Sequence, residues 1–279
     1  MIVTSYNSPE TLQACLESIT AQAGSGDEIV VADCSLEKPE IADCRVKLIH
    51  FSERRSVPEM RWAALRATDR ELVAVVESRC IPAPDWLNQL AEAHAKHSSA
   101  AGIGGTVSAT PGSRLADGHY FCEYGHFAPP VECGPSPDVS GANLSYKRVF
   151  LERERDLLDA GCWETLIHLR WRDRGIPLAL CPAEVRFVNA MALTTILRQR
   201  FDYGRNYAAS RRGPKLLFAA ASPILPFLLT FRLARSAKGK GLTQRFRRAL
   251  GYVLLFNAAW SAGEAFGYLF GATRDSRIY

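Results

Sequence analysis

Along the first 80 residues the apolar positions fall into two alternating patterns. Residues 1–4, 28–32, 46–51 and 72–76 are short, largely apolar stretches, and each reads as a strand; 72–76 is continuous and β-branched and reads as one buried on both faces. Between them, residues 11–23 place Leu12, Cys15, Leu16 and Ile19 at helical spacing after Ser8 and Pro9. Residues 58–68 do the same with Met60, Ala64 and Leu65. The order strand, helix, strand, strand, helix, strand predicts an α/β domain with a mostly parallel sheet flanked by helices.

The pattern then loosens. Residues 86–97 read as a helix that turns Trp86, Leu87, Leu90 and Ala91 inward, and residues 103–107 as a strand whose glycines invite close approach. Residues 110–138, rich in Pro, Gly, His and aromatics, show little periodicity and read as a long functional loop. Residues 140–146 form a turn or short strand. A basic amphipathic helix over 163–174 stops at Gly175, and short strands follow at 177–180 and 185–188. From residue 193 arginines alternate with aromatics, and two apolar segments follow at 216–231 and 249–272.

Charge sharpens this division. The net charge is +5, with the basic excess beyond residue 197, which suits a membrane surface or another anionic partner. The eight cysteines include no CxxC pair and no Cys/His set at zinc spacing. The first residues lack the basic and apolar regions of a signal peptide, so reduced thiols in the cytosol are the expectation.

The strand ends carry the candidate chemistry. Ser5-Tyr6-Asn7, Asp33 and Glu77-Ser78-Arg79 each follow an apolar run, and Pro82 and Pro84 forbid simple continuation of the last. In an open α/β sheet such tips share the carboxyl edge, where ligands bind. A charged surface turn is the plain alternative.

These stretches together resemble the family-2 glycosyltransferases, nucleotide-sugar enzymes of GT-A fold. Residues 2–12 are similar to the family's opening strand and P-T-Y-N-R-P-E-T-L turn, and residues 28–33 to its E-I-I-V-V-D strand. Arg61 falls where the family has the Arg of an A-R-N helix start. Residues 77–86 align with D-x-D-C-x-P-x-P-x-W, Gly141-Ala142-Asn143 with G-A-N, and Trp163-Glu164 with E-D.

The resemblance implies a nucleotide-sugar donor, with Ser5, Tyr6 and Asn7 flanking the base, Asp33 accepting from a base imide or ribose hydroxyl, and Arg61 pairing with a phosphate. It makes Glu164 the general base that deprotonates an acceptor hydroxyl in an inverting, in-line displacement. Asn143, Trp163, Arg198 and Arg200 fall on the acceptor side, the last two in a basic-aromatic segment similar to one near the acceptor channel of membrane-bound members. In the family the D-x-D carboxylates hold Mg²⁺ or Mn²⁺. This chain departs there: Glu77 keeps a carboxylate, Ser78 is the middle residue and Arg79 stands last. Glu77 is thus the one metal-ligand candidate, and a divalent cofactor is in doubt. Either Arg79 partly replaces the metal at the diphosphate, or donor chemistry has been lost.

The tail completes the expectation. Residues 216–231 contain Pro223 and Pro226, and residues 249–272 contain Asn257 and Glu264, which are costly in a membrane unless paired. The segment from Arg232 to Arg248 carries seven basic residues and no acidic one. Two spans with a cytosolic enzyme domain would put that loop outside, against the positive-inside tendency. The expected organisation is therefore a catalytic domain over 1–192 and a basic, apolar helical tail over 193–279. Residues 198–272 would lie on the cytoplasmic face of a membrane, monotopic or re-entrant, with a two-span protein as the alternative and a packed soluble helical hairpin as the plain reading. The expected acceptor is a lipid-linked or cell-envelope glycan, and no nucleic-acid module is evident. A non-catalytic nucleotide-sugar-binding or scaffold protein of the same fold is the rival reading. A nucleotidyltransferase is disfavoured, since no Gly-rich, Lys-bearing phosphate loop follows the first strand.

Overall fold

The structure is a computed structural model that describes residues 1–189, 191–211 and 213–272. The elements begin with β1 (Ile2–Ser5), α1 (Pro9–Thr20), β2 (Ile29–Asp33), β3 (Val46–His50), α2 (Val57–Leu65), β4 (Leu72–Glu77), β5 (Cys80–Pro82) and α3 (Trp86–Lys96). They continue with β6 (Gly102–Ala109), α4 (Arg114–Tyr124), β7 (Gly134–Ser136), β8 (Asn143–Lys147), α5 (Arg148–Glu152), α6 (Arg155–Asp159), α7 (Thr165–Asp173) and β9 (Leu178–Phe187). Four helices follow: α8 (Leu193–Ser210), α9 (Lys215–Ala221), α10 (Leu225–Gly239) and α11 (Thr243–Phe270). The chain divides into two compact units, residues 1–108 with 127–188, and residues 109–126 with 189–279. The second unit thus takes in residues 109–126, which the sequence reading left in the first.

The first unit is built on a mixed sheet in the order β3-β2-β1-β4-β8-β6-β9-β5, with β7 beside β9. β3, β2, β1 and β4 run parallel, whereas β8 is antiparallel to both β4 and β6, so the parallel character ends at β4. β1 and β2 are buried along their whole length because both sheet faces are covered. Register then fixes the edge: Ser5, Asp33 and His50 stand in one row across β1, β2 and β3, and Glu77 stands opposite Thr4.

α2 turns Met60, Ala64 and Leu65 inward as expected, and buries Arg61 with them. α3 differs by one step of the helix. Its buried residues are Trp86, Leu90, Ala93 and His94, while Ala91 is exposed, because His94 reaches Ser145 Oγ inside the core at 2.7 Å. The strands expected at 177–180 and 185–188 are one strand, β9, running through Pro182.

In the second unit, α4 forms where no element was expected. Five consecutive residues, Asp117 to Phe121, are buried, so the helix has no polar stripe for a periodicity argument to find. Its ends of charge are met inside the unit: Arg245 donates to Asp117 at 2.7 Å and to the Ala109 carbonyl at 2.7 Å. α8 and α11 pack closely enough that a side chain on Gly204 or Gly263 would run into the backbone carbonyl of Trp260 or Phe201. Asn257 and Glu264, both buried, have partners here. Asn257 donates to Thr230 at 3.0 Å, and Glu264 accepts from the Trp260 ring nitrogen at 2.7 Å. Among the described residues one helical run, Lys215–Gly239, is long and apolar enough to cross a membrane, and a 3-10 turn over Ser222–Ile224 interrupts it.

Candidate active site

The loops at the carboxyl edge of the parallel strands are tied to one another. The Asn7 amide donates to Ser35 Oγ at 2.7 Å, and Asn7 Oδ1 accepts from the Leu36 amide at 3.0 Å. Asn7 holds a left-handed backbone, φ +44°, a conformation Asn tolerates better than most residues. Ser8 and Ser78 share a hydrogen bond of 2.7 Å, which joins the turn after β1 to the turn after β4. The Tyr6 ring lies under the Arg54 guanidinium, 5.0 Å away, and is half-buried. Ser5 is buried, and its hydroxyl has no hydrogen-bond partner among the described residues.

Asp33 is fully buried, and both its carboxylate oxygens are engaged. One accepts from the Ser35 amide at 3.0 Å and faces His50 Nδ1 at 2.9 Å; the other accepts from Ser35 Oγ at 2.7 Å. The carboxylate therefore orders the loop after β2 and the imidazole at the end of β3. His50 is the partly exposed group of this pair, at 19%. Sequence reasoning passed over the histidine; its place near the end of the strand expected over 46–51 was the available signal.

A capping box starts the helix that carries Arg61: Ser56 accepts from the Glu59 amide, and Glu59 accepts from the Ser56 amide at 2.8 Å. One turn later Arg61 points into the protein, 1% exposed. Its Nη2 donates to the Gly141 carbonyl at 2.8 Å and lies 3.6 Å from Glu77 Oε1, while Nη1 pairs with Glu164. Three separate segments thus converge on one guanidinium. Glu164 directly precedes α7 at φ +22°, a positive value rare outside glycine, and its side chain remains 28% exposed. Its carboxylate occupies the space that a side chain on Gly141 would fill. The thiols beside Glu77 are neutral: burial pushes Cys15 up to about 12 and Cys80 well above its usual range.

Glu77 does not fit the metal role that the resemblance implied. Its carboxylate already has a guanidinium at 3.6 Å, and Arg79, two residues on, adds a second cationic side chain. Among the described residues no three His, Cys, Asp or Glu side chains are grouped to hold an ion. One carboxylate already paired with a guanidinium is a poor donor set for a hard cation that takes six or more oxygens. Arg79 is half-buried, and its Nη1 has no hydrogen-bond partner among the described residues. Ser78 is buried against Ser8.

Three of the acceptor-side expectations meet a different geometry. Asn143 is fully buried; it accepts from the Trp86 ring nitrogen at 2.7 Å and donates to the Thr106 and Ala183 carbonyls at 2.7 and 2.9 Å. With every amide group engaged in the core, it fastens β8 to its neighbours and offers nothing to an acceptor. Trp163 is buried edge-on against Tyr146, 6.2 Å between ring centres. In the second unit Arg200 is buried, donates to Glu123 at 2.9 Å and lies 4.7 Å from the Trp260 ring. Arg198 is 76% exposed, with Asp202 at 3.7 Å.

The first unit therefore presents a carboxylate held against a guanidinium, a second guanidinium nearby in sequence, and a polar edge made by the loops after β1, β2 and β3. The model of glycosyl transferase family 2 matches residues 1–153. The succinoglycan biosynthesis protein ExoO of Rhizobium meliloti (strain 1021) is 34% identical over 97 residues, which are 33% of this chain and 28% of that protein. The matched stretch is thus little more than a quarter of that relative's length. Among solved structures, the mannosyltransferase PcManGT from Pyrobaculum calidifontis, in complex with GDP-Man and Mn2+, has a TM-score of 0.53 at 17% identity, over 91% of this chain and 86% of that one. At that identity the likeness is one of fold, and the fold is GT-A. With the family model covering more than half of a chain whose parallel strands end in this edge, the protein belongs to glycosyl transferase family 2.

Proposed function

We propose that this chain transfers a glycosyl group, of hexosyl type, from a nucleoside-diphosphate sugar to a hydroxyl of a cell-envelope or lipid-linked glycan, with inversion. The observation that carries the reading is the meeting of Arg61, Glu77 and Glu164 in the unit whose loops end at the carboxyl edge. The acceptor oxygen attacks the anomeric carbon as the bond to the diphosphate breaks. The electron pair leaves with the nucleoside diphosphate, and the acceptor proton passes to Glu164. The unengaged Nη1 of Arg79 supports a role for this side chain in meeting the charge of the departing diphosphate without a bound cation. Ser5, Tyr6, Asn7 and His50, the imidazole that Asp33 holds, would receive the base and ribose.

The reading is tested by incubating the protein with UDP- and GDP-sugars and envelope glycan acceptors, with EDTA or with Mn²⁺, and measuring released diphosphate. Arg79→Ala should lose turnover in EDTA. Turnover that requires Mn²⁺ would remove the metal-free part of the proposal. Nucleotide binding without turnover on any acceptor would instead favour the non-catalytic reading, for which Arg79 in place of a carboxylate is the supporting feature.

We further infer contact with the cytoplasmic face of a membrane. Leu216, Phe227 and Phe231 on α9 and α10 are 77%, 69% and 59% exposed, and Arg232, Arg235 and Lys238 follow them. Apolar residues bordered by basic ones suit an anionic leaflet. Sedimentation with anionic vesicles should carry the protein down and Phe227→Ser with Phe231→Ser should release it; equal recovery with and without vesicles would remove this part.

A further inference from the structure

We infer that Arg61 is the positioning residue for Glu164, and not a contact to the donor's diphosphate; the inference rests on the reading of Glu164 as the base. An arginine that is 1% exposed has little access to an incoming anion. Its guanidinium is already directed at three groups: the Glu77 carboxylate, the Gly141 carbonyl and the Glu164 carboxylate. A planar fork with fixed donors is suited to hold such groups in one arrangement.

The partners explain why this matters at Glu164. A non-glycine residue at φ +22° is strained, and it persists where the surroundings over-determine it. Arg61 supplies that constraint from two sides. It pairs with the Glu164 carboxylate and hydrogen-bonds the turn at Gly141 against which that carboxylate lies. Turning Arg61 away toward a diphosphate would leave Glu77 and Glu164 without the cation between them, and would free Glu164 from the turn. The base would then lose its aim toward the acceptor at the moment the donor binds. Arg79, half-buried where Arg61 is 1% exposed, is the side chain more open to the phosphate.

Arg61→Met and Arg61→Lys separate the two roles. Calorimetric titration with UDP and GDP reads diphosphate contact, crystal structures of both variants read the position of Glu164, and steady-state kinetics read kcat against donor KM. The expected result is nucleotide affinity and KM near wild type in both variants, with kcat lowered about 100-fold in Arg61→Met and partly restored in Arg61→Lys. Glu164 should leave Gly141 in Arg61→Met and stay in Arg61→Lys. If Arg61→Met fails to fold, Arg61→Lys decides through nucleotide affinity. A fall in that affinity of about tenfold or more, or Glu164 unmoved in Arg61→Met, would overturn the inference. Full turnover in Glu164→Gln would overturn the reading of Glu164 as base, while the crystal structures would still decide whether Arg61 positions it.

Discussion

The Glu164 carboxylate lies directly over the α-carbon of Gly141, in the volume that any side chain at residue 141 would occupy. The glycine is required here by a neighbour and not by its own dihedral angles. Gly141→Ala must move Glu164 aside or shift the turn that Arg61 holds. Turnover should fall by about 100-fold with nucleotide affinity unchanged, since a base displaced by an ångström loses its aim. Steady-state kinetics beside calorimetry would check this, and wild-type kcat in that variant would contradict the placement of Glu164.

Asn143 makes a prediction about stability. Its side chain joins Trp86, Thr106 and Ala183 through three buried hydrogen bonds. Asn143→Ala leaves one donor and two acceptors unsatisfied, and should lower the unfolding free energy by roughly 2–4 kcal/mol. Denaturant unfolding measures it. A loss below about 0.5 kcal/mol would show that the amide does not carry this junction.

Asp117 and Arg245 play a similar part in the second unit. Asp117 is 1% exposed and accepts from Arg245 at 2.7 Å. Arg245→Met removes the partner and leaves a buried carboxylate, which costs about 3–5 kcal/mol. Arg245→Met with Asp117→Asn should recover part of that loss. Thermal melts of the single and double variants compare the two, and equal melts for wild type and Arg245→Met would contradict the assignment.

His94 sets a pH dependence. Burial, with a smaller contribution from Lys147, lowers its pKa to about 4, below the ordinary histidine value of 6.5. Between those two values the unfolded chain takes up a proton that the folded chain does not. Stability from this group is therefore present in full above pH 6.5 and is lost as pH falls toward 4. His94→Gln should flatten the fall in melting temperature over that window. An unchanged slope in the variant would show that other groups account for it.

The parallel half of the first unit was legible because its strands are buried on both faces and its helices on one. The apolar runs of β1, β2 and β4 and the spacing of Met60, Ala64 and Leu65 follow directly from that burial. α4 was not legible, because its buried residues are contiguous and form no stripe. At the site, residue identity pointed to the edge but not to the direction of each side chain. Asp33, Arg61 and Asn143 are polar residues beside a candidate ligand site, and the structure turns all three toward protein partners. Which polar groups face inward depends on partners distant in sequence, Gly141 for Arg61, His50 for Asp33, and Thr106 and Ala183 for Asn143, which no local spacing encodes. His50 was missed for the converse reason: it closes an apolar strand and becomes notable only when register sets it beside Asp33.

The central claim is that Glu164 takes the acceptor proton in a glycosyl transfer from a nucleotide sugar. Release of nucleoside diphosphate from a UDP- and GDP-sugar panel, measured with glycan acceptors for the wild type and Glu164→Gln, tests it most directly. The expected result is acceptor-dependent release by the wild type and a fall of about 100-fold or more in Glu164→Gln, with nucleotide affinity retained. Equal release by the two proteins, or release by neither with nucleotide still bound, would contradict it.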